Sequence, residues 1–201
     1  DRDEDLLKNL DLIKSAFVSI RNTVRNLIDL NRPGKEKKQP MDVNQVIENT
    51  VALMFSHLKN SLVNIKLNLA ATTSQINASP QQIGQVIMNL VNNAVDAIVN
   101  APDFNDKLKQ SLPVEGEIVI ATSCRDEEIT IVVKDNGPGI SDKDLEYIFD
   151  PFFTRKKKMG MGVGLSICHG IIEDHQGTIT AENSPEGGVV FTIRLPLGQA
   201  L

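Results

Sequence analysis

Along residues 5–31 the apolar positions keep a single rhythm. Leu6, Leu10, Ile13, Phe17, Ile20, Val24 and Leu27 follow one another at intervals of four, three, four, three, four and three residues. This a/d spacing, with Lys8, Lys14, Arg21 and Arg25 among the intervening polar positions, predicts one long amphipathic helix. Such a stripe must be covered, either by the helix's own domain or by other helices, and pairing with other helices suits the heptad better. Arg32-Pro-Gly-Lys-Glu-Lys-Lys-Gln-Pro40 ends the pattern, because proline and glycine break helices and a charge run stays solvated.

Beyond that break the rhythm changes repeatedly. Asp42, with Gln45 three residues on, reads as a capping box opening a helix to about Lys59. Val63, Ile65, Leu67 and Leu69 alternate with polar residues, which predicts a strand over Leu62 to Leu69. Ser79-Pro80-Gln81-Gln82 combines a capping serine, a first-turn proline and a glutamine at the reciprocal position. The helix it starts places Ile83, Val86, Ile87, Leu90, Val91, Ala94 and Ile98 on one face. Residues 101–115 read as a loop, and Glu117 to Ser123 and Glu128 to Lys134 as a hairpin turning at 125–127.

Ser141 is expected to cap a short helix to about Phe149, and a helix over Val163 to Gln176 is expected to close at Gly177. Strands over Thr178 to Glu182 and Val189 to Leu195 follow. The expected fold is α+β: a two-layer α/β sandwich, a mixed sheet of about five strands with three main helices on one face, preceded by the long amphipathic helix. The expected division is a helical segment over 1–34, a linker over 35–41 and a domain over 42–201.

Composition narrows the chemistry. Apolar residues make up 41% of 201, enough for a core, and a net charge of −5 argues against a nucleic-acid partner. No apolar run approaches the ~20 residues of a membrane span and no signal peptide opens the sequence, so a cytoplasmic location is expected, with any membrane attachment through segments outside these residues. Cys124 and Cys168 stand apart, as in a reducing compartment, and Cys168-His169 has no second pair with which to bind zinc.

Three polar motifs interrupt the apolar pattern. Asn89 and Asn93 are four residues apart on one helical face, and Asp96 lies three further on. Their oxygens suit Mg²⁺ held together with phosphate, although the same face would also suit water. Asp135-Asn-Gly-Pro-Gly139 ends a strand; Gly137 and Gly139 let backbone approach a ligand, and Asp135 can accept from an exocyclic amine such as that of adenine, or the five residues form an ordinary tight turn. Gly160, Gly162 and Gly164 open into a helix whose first N–H groups attract phosphate. The run Arg155-Lys-Lys-Lys158 before them is either a solvated charge cluster or a basic lid.

In this order the motifs resemble the ATP-binding fold shared by sensor histidine kinases, type II topoisomerases, MutL mismatch-repair proteins and a major heat-shock chaperone. The likeness is best to histidine kinases. Asn89 to Asp96 resembles their N box, Asp135 to Gly139 the first glycine box and Asp150-Pro-Phe-Phe-Thr-Arg155 the F box. Gly160 to Gly164 resembles the second glycine box and Gly187-Gly188-Val-Val-Phe191 the final glycine-containing strand. The wording is nearest to the nitrogen-regulation and oxygen-sensing subgroup, over roughly residues 42–197.

The resemblance implies ATP and Mg²⁺ as ligands. Asn93 would ligate the metal, and Asn89 would support the phosphates. Asp135 would bind adenine, with Asp96, Gly137, Gly139 and Ile140 around it. Phe152, Phe153, Thr154 and Arg155 would anchor the lid, with Arg155 reaching a terminal phosphate; Gly160, Met161, Gly162, Val163, Gly164 and Leu165 would line the phosphate side. Hydrolytic relatives place a glutamate where Asn89 stands, and an asparagine cannot act as a general base, so the pocket reads as one for transfer rather than hydrolysis. Two departures are Val189, where many relatives have threonine, and the long 101–115 connection.

The expected catalytic group is therefore Asn89, Asn93 and Arg155, in a protein histidine kinase that passes phosphate to a histidine and then to a response-regulator aspartate. No histidine precedes His57, and His57, His169 and His175 are each followed by a residue other than Asp or Glu, so all three read as structural. Residues 5–31 resemble the second helix of a dimerisation hairpin, implying a homodimer when the hairpin is complete, and these residues alone are expected to bind ATP without autophosphorylating. An anti-sigma-type serine kinase and a degenerate ATP-binding scaffold are the alternatives.

Overall fold

A computed structural model describes residues 37–71, 75–102, 116–125, 127–154 and 162–197. The amphipathic segment 5–31, the 103–115 connection, Arg155, Gly160 and Met161 lie outside the described residues.

Strand β1, Gln39–Asp42, leads directly into helix α1, Val43–Ser61, and Asp42 caps it by accepting from the N–H groups of Asn44 (2.8 Å) and Gln45 (3.2 Å). The reciprocal half of the expected capping box is absent: Gln45 donates forward to Asn49, and Asp42 is already paired in a strand. Leu62 closes α1 in the left-handed region at φ 57°, and β2, Val63–Leu69, follows. Strand β3, Gln75–Ala78, pairs antiparallel with β1, placing Gln39 opposite Ala78. Residues 35–41 read as a linker in sequence, yet the last three of them enter this ribbon. Its strands have only four residues each, so neither carries a readable alternation.

Helix α2, Pro80–Val99, forms as expected, with Pro80 in its first turn and the Ser79 hydroxyl accepting from Gln82 N–H at 3.2 Å. Eight apolar side chains along it are buried, and those other than Ala94 each contribute about 1.5–3 kcal/mol by leaving water. Strands β4, Gly116–Arg125, and β5, Glu128–Asp135, form the predicted hairpin, with Arg125 opposite Glu128.

The short helix α3 covers only Asp142–Leu145, and the Ser141 side chain makes no capping bond, contrary to expectation. Helix α4 spans Gly164–Asp174, shorter than predicted at both ends. The left-handed residue after it is Gln176 (φ 59°), not Gly177. Gly177 has another reason to lack a side chain: a Cβ there would lie 2.4 Å from the Arg194 carbonyl oxygen.

Strands β6, Thr178–Asn183, and β7, Val189–Pro196, complete a five-stranded mixed sheet in the order β2-β4-β5-β7-β6. Only the β2–β4 pair is parallel. Burial alternates strictly along the central strands, so one face of the sheet lies against α1, α2 and α4 in a single core. The sheet delivers Asp135 at the end of β5, beside the α2 face that carries the asparagines.

Candidate functional site

Helix α2 runs between two structures that the sequence marked as separate motifs. Near its C-terminal end, Gly137 sits so close that an added Cβ would meet Ala97 Cβ at 3.5 Å and Ile98 Cγ1 at 3.6 Å. Nearer its middle, Asn89 donates its Nδ2 to the carbonyl of Gly164 at 3.3 Å, in the first turn of α4. Nine residues separate Asn89 from Ile98, so the two contacts lie about 13 Å apart along the helix axis. Asn93 falls between them, half-buried and with no side-chain hydrogen bond to another described residue. Asp96 is half-buried on the same helix, where its backbone carbonyl accepts from Asn100.

At the first end, Asp135 is only 4% exposed. Its Oδ1 accepts from Gly137 N–H at 2.8 Å and from Val189 N–H at 3.3 Å. Burial raises its pKa above the ordinary carboxylate value, and these two bonds partly offset that. Oδ2 has no hydrogen-bond partner among the described residues. Gly188, at φ +82°, lets the neighbouring turn pack against this residue: a Cβ there would lie 1.9 Å from the Asp135 carbonyl oxygen. Val189 contributes through its backbone N–H.

The glycine turn is clamped from β6. Asn183 Oδ1 accepts from Ile140 N–H at 2.8 Å and its Nδ2 donates to the Ile140 carbonyl at 2.6 Å. Gly139, at φ +79°, passes beneath the same amide. Sequence reading missed Asn183, because its partner lies 43 residues away.

At the other end, α4 begins without a side-chain cap, Val163 occupying the capping position with its side chain in the core. The first N–H groups of a helix have no intrahelical acceptor, so this end is suited to an anion. Val163 and Leu165 pack into or against the core, and Gly164 has nothing within 4 Å of where a Cβ would stand. Gly162, at φ +68°, lies against Phe153, whose carbonyl oxygen would be 2.4 Å from a Cβ. Phe153 is half-buried beside the Tyr147 ring at 6.3 Å, Thr154 is exposed, and Phe152 is 66% exposed at φ 68°.

The histidines described in full have structural surroundings. His169 packs against Phe149 at 5.5 Å and pairs with Glu173 at 3.3 Å. His175 is buried, with Nδ1 2.7 Å from the Ile171 carbonyl and Nε2 accepting from Ser79 N–H at 3.0 Å. These contacts fix the Nδ1–H tautomer of a neutral ring, and burial lowers its pKa. Among the described residues, no group of three or more His, Cys, Asp or Glu is placed to hold a metal ion, and no helix is long and apolar enough to cross a membrane.

The family model described as histidine kinase-, DNA gyrase B- and HSP90-like ATPase matches residues 78–199. Sensor histidine kinase ZraS of Klebsiella oxytoca is 32% identical over 179 residues, 89% of this chain and 36% of that protein. A nucleotide-free catalytic domain of histidine kinase ThkA is 30% identical with a TM-score of 0.67, covering 81% of this chain and 97% of that one. ThkA in complex with response regulator TrrA is 25% identical with a TM-score of 0.74, over 94% of this chain and 50% of that one. The chain spans about a third of the length of the curated relatives it matches.

Proposed function

This chain belongs to the family of histidine kinase-, DNA gyrase B- and HSP90-like ATPases, with a catalytic domain of the histidine kinase type, and on that premise we propose that it holds Mg-ATP for transfer of the γ-phosphoryl group to a histidine. The observation that carries this reading is the layout along α2. A buried carboxylate with one oxygen unengaged among the described residues stands at one end, a helix N-terminus without a side-chain cap at the other, and between them an asparagine with no side-chain hydrogen bond to another described residue.

Each group then has one task. Oδ2 of Asp135 accepts from the exocyclic amine of adenine, while Gly137 and Val189 hold the carboxylate still. The first N–H groups of α4 face the phosphate chain, where donors and dipole favour negative charge. The carboxamide oxygens of Asn93 and Asn89 fit Mg²⁺ shared with phosphate oxygens, because hard oxygen donors suit that ion; when bound, the ion would neutralise charge on the phosphates. Arg155, Gly160 and Met161 are expected to complete this side.

Phosphoryl transfer depends mainly on positioning and charge stabilisation, and no general base is needed from the asparagine face. An imidazole nitrogen of the acceptor forms a bond to the γ-phosphorus as the bond to the ADP oxygen breaks. His175 does not serve as acceptor, since it is buried with both nitrogens engaged. The acceptor is a histidine on a helical hairpin to which residues 5–31 contribute one helix, paired in a homodimer, and the phosphoryl group passes on to a response regulator. Crystallised ThkA with TrrA supports this last step by analogy.

A fluorescent ATP analogue titrated with and without Mg²⁺ tests the pocket. Asp135→Ala is expected to weaken binding under both conditions, and Asn93→Ala to abolish the benefit of the metal. Unchanged affinity in both variants would sink the assignment. With labelled ATP and a separate hairpin carrying a histidine followed by an acidic residue, acid-labile label is expected on the hairpin and none on this chain.

A further inference from the structure

Asn89 joins α2 to α4 through polar atoms, and the atoms it touches fix which way its carboxamide faces. Nδ2 lies 3.3 Å from the Gly164 carbonyl oxygen and 3.7 Å from Sγ of Cys168. A backbone carbonyl can only accept, so the nitrogen of Asn89, not its oxygen, is turned toward α4. The Cys168 sulfur lies 4.0 Å from the carbonyl of Val86, one turn before Asn89 on α2. The thiol thus accepts from Asn89 and donates its own proton back to the same helix. Cys168 is completely buried, and that burial pushes its pKa to about 12, so the proton stays on sulfur. Both N–H bonds of the carboxamide are thereby used, and Oδ1 has no partner among the described residues.

We propose that Cys168 is a positioning residue of the nucleotide site: its thiol and the Gly164 carbonyl together lock the Asn89 carboxamide so that Oδ1, rather than the amide hydrogens, faces the bound cation. The inference rests on the Mg-ATP reading above. A flipped amide would present two hydrogens of partial positive charge to a divalent ion or its waters. An unlocked amide samples both orientations and loses part of its time in the wrong one. The same lock ties the first turn of α4 to the asparagine face, so the anion-binding end of α4 and the cation-binding face of α2 are set by one side chain. A cysteine serving only as core filling would have no bearing on the cation.

The test is a double-mutant cycle read by nucleotide binding with and without Mg²⁺, with the unfolding midpoint of every variant measured alongside. Cys168→Ala is expected to weaken Mg-nucleotide binding about threefold to tenfold, in the lower part of the range of coupling between contacting residues, and to leave metal-free binding unchanged. Cys168→Ser, whose hydroxyl can accept and donate, is expected to recover most of the loss. In an Asn89→Ala background, Cys168→Ala is expected to have no further effect. If Cys168→Ala does not fold, Cys168→Val, which fills the space without an acceptor, is set against Cys168→Ser. The proposal is overturned by equal losses with and without Mg²⁺, by the same loss in the Asn89→Ala background, or by no loss at all. Normal metal-dependent binding by Asn89→Ala would overturn the underlying pocket reading as well, which separates the two failures.

Discussion

At Gly188 there is no room for a methyl group, since a Cβ would lie 1.9 Å from the Asp135 carbonyl oxygen; at Gly164 no described residue lies within 4 Å of such a Cβ. The same residue type thus does opposite jobs at the two ends of α2. Around Asp135 the backbone is packed against itself, with Oδ1 held by two N–H groups and Ile140 clamped by Asn183. This end is formed before any ligand arrives. Around Gly164 the helix start has no side-chain cap, and no described residue lies within 4 Å of where a Cβ would stand. A closed end can select a base by shape, and an open end can admit a charged chain whose own oxygens supply the missing acceptors.

Paired alanine substitutions press hardest on this contrast. Gly188→Ala is expected to destabilise the domain by about 3 kcal/mol or more, through backbone collision and a left-handed φ. Gly164→Ala should hold its unfolding midpoint, because alanine suits a helix and meets nothing. Chemical denaturation of the two variants checks this, and equal losses would end the distinction. Next comes Asp135→Asn, which keeps an acceptor for Gly137 and Val189 but loses the charge. Nucleotide affinity should fall about tenfold to a hundredfold while stability at neutral pH is held or raised, since a charge buried at a cost has been removed. Titration and thermal melts of the same sample measure both.

His175 gives a smaller, pH-dependent effect. Its folded pKa is lowered below the ordinary 6.5, so on acidification the unfolded chain takes up the proton first. Its contribution is complete above pH 6.5 and is lost as the pH falls below that value through the folded pKa. His175→Phe, which leaves Ser79 N–H buried without its acceptor, should cost about 1–3 kcal/mol above pH 6.5 and flatten that part of the acid limb, so that its difference from the wild type narrows on acidification. Calorimetry between pH 7.5 and 5 distinguishes the two. The smallest change is expected at Phe152, exposed with φ 68°. Phe152→Gly should stabilise by up to about 1 kcal/mol, because glycine carries no penalty in the left-handed region.

What the sequence disclosed and what it withheld divide by distance along the chain. Ser79, Pro80 and Gln82 announced the start of α2 because a cap is settled within four residues, and Arg125 and Glu128 announced their hairpin for the same reason. The three motifs of the site were legible because each needs particular residue types at short spacing. The bond from Ser79 to His175 spans 96 residues and that from Asn89 to Gly164 spans 75, so no local pattern registers either. Gly177 misled in another way: a glycine after a helix usually supplies the left-handed turn, but Gln176 took that conformation and Gly177 made way for the Arg194 carbonyl. Asn89 was read in the sequence as part of a ligand face, whereas the use of its nitrogen on α4 was not legible.

The meeting of Lys38, Ser79 and His175 has a mechanical consequence. Lys38 reaches the Asp174 carbonyl, Gln39 stands opposite Ala78 in the ribbon, and Ser79 N–H is held by His175. The entry of the chain into the domain, the start of α2 and the end of α4 are thereby fastened at one fulcrum. Helix α4 extends from it as a lever arm of about 16 Å, with Gly164 at the tip. A rotation of only about 5° at the fulcrum would carry that tip roughly 1.4 Å, half a hydrogen-bond length. A turn of the backbone at residue 38 that reached α4 would therefore alter the spacing of the helix-start donors that the proposed function assigns to the phosphates.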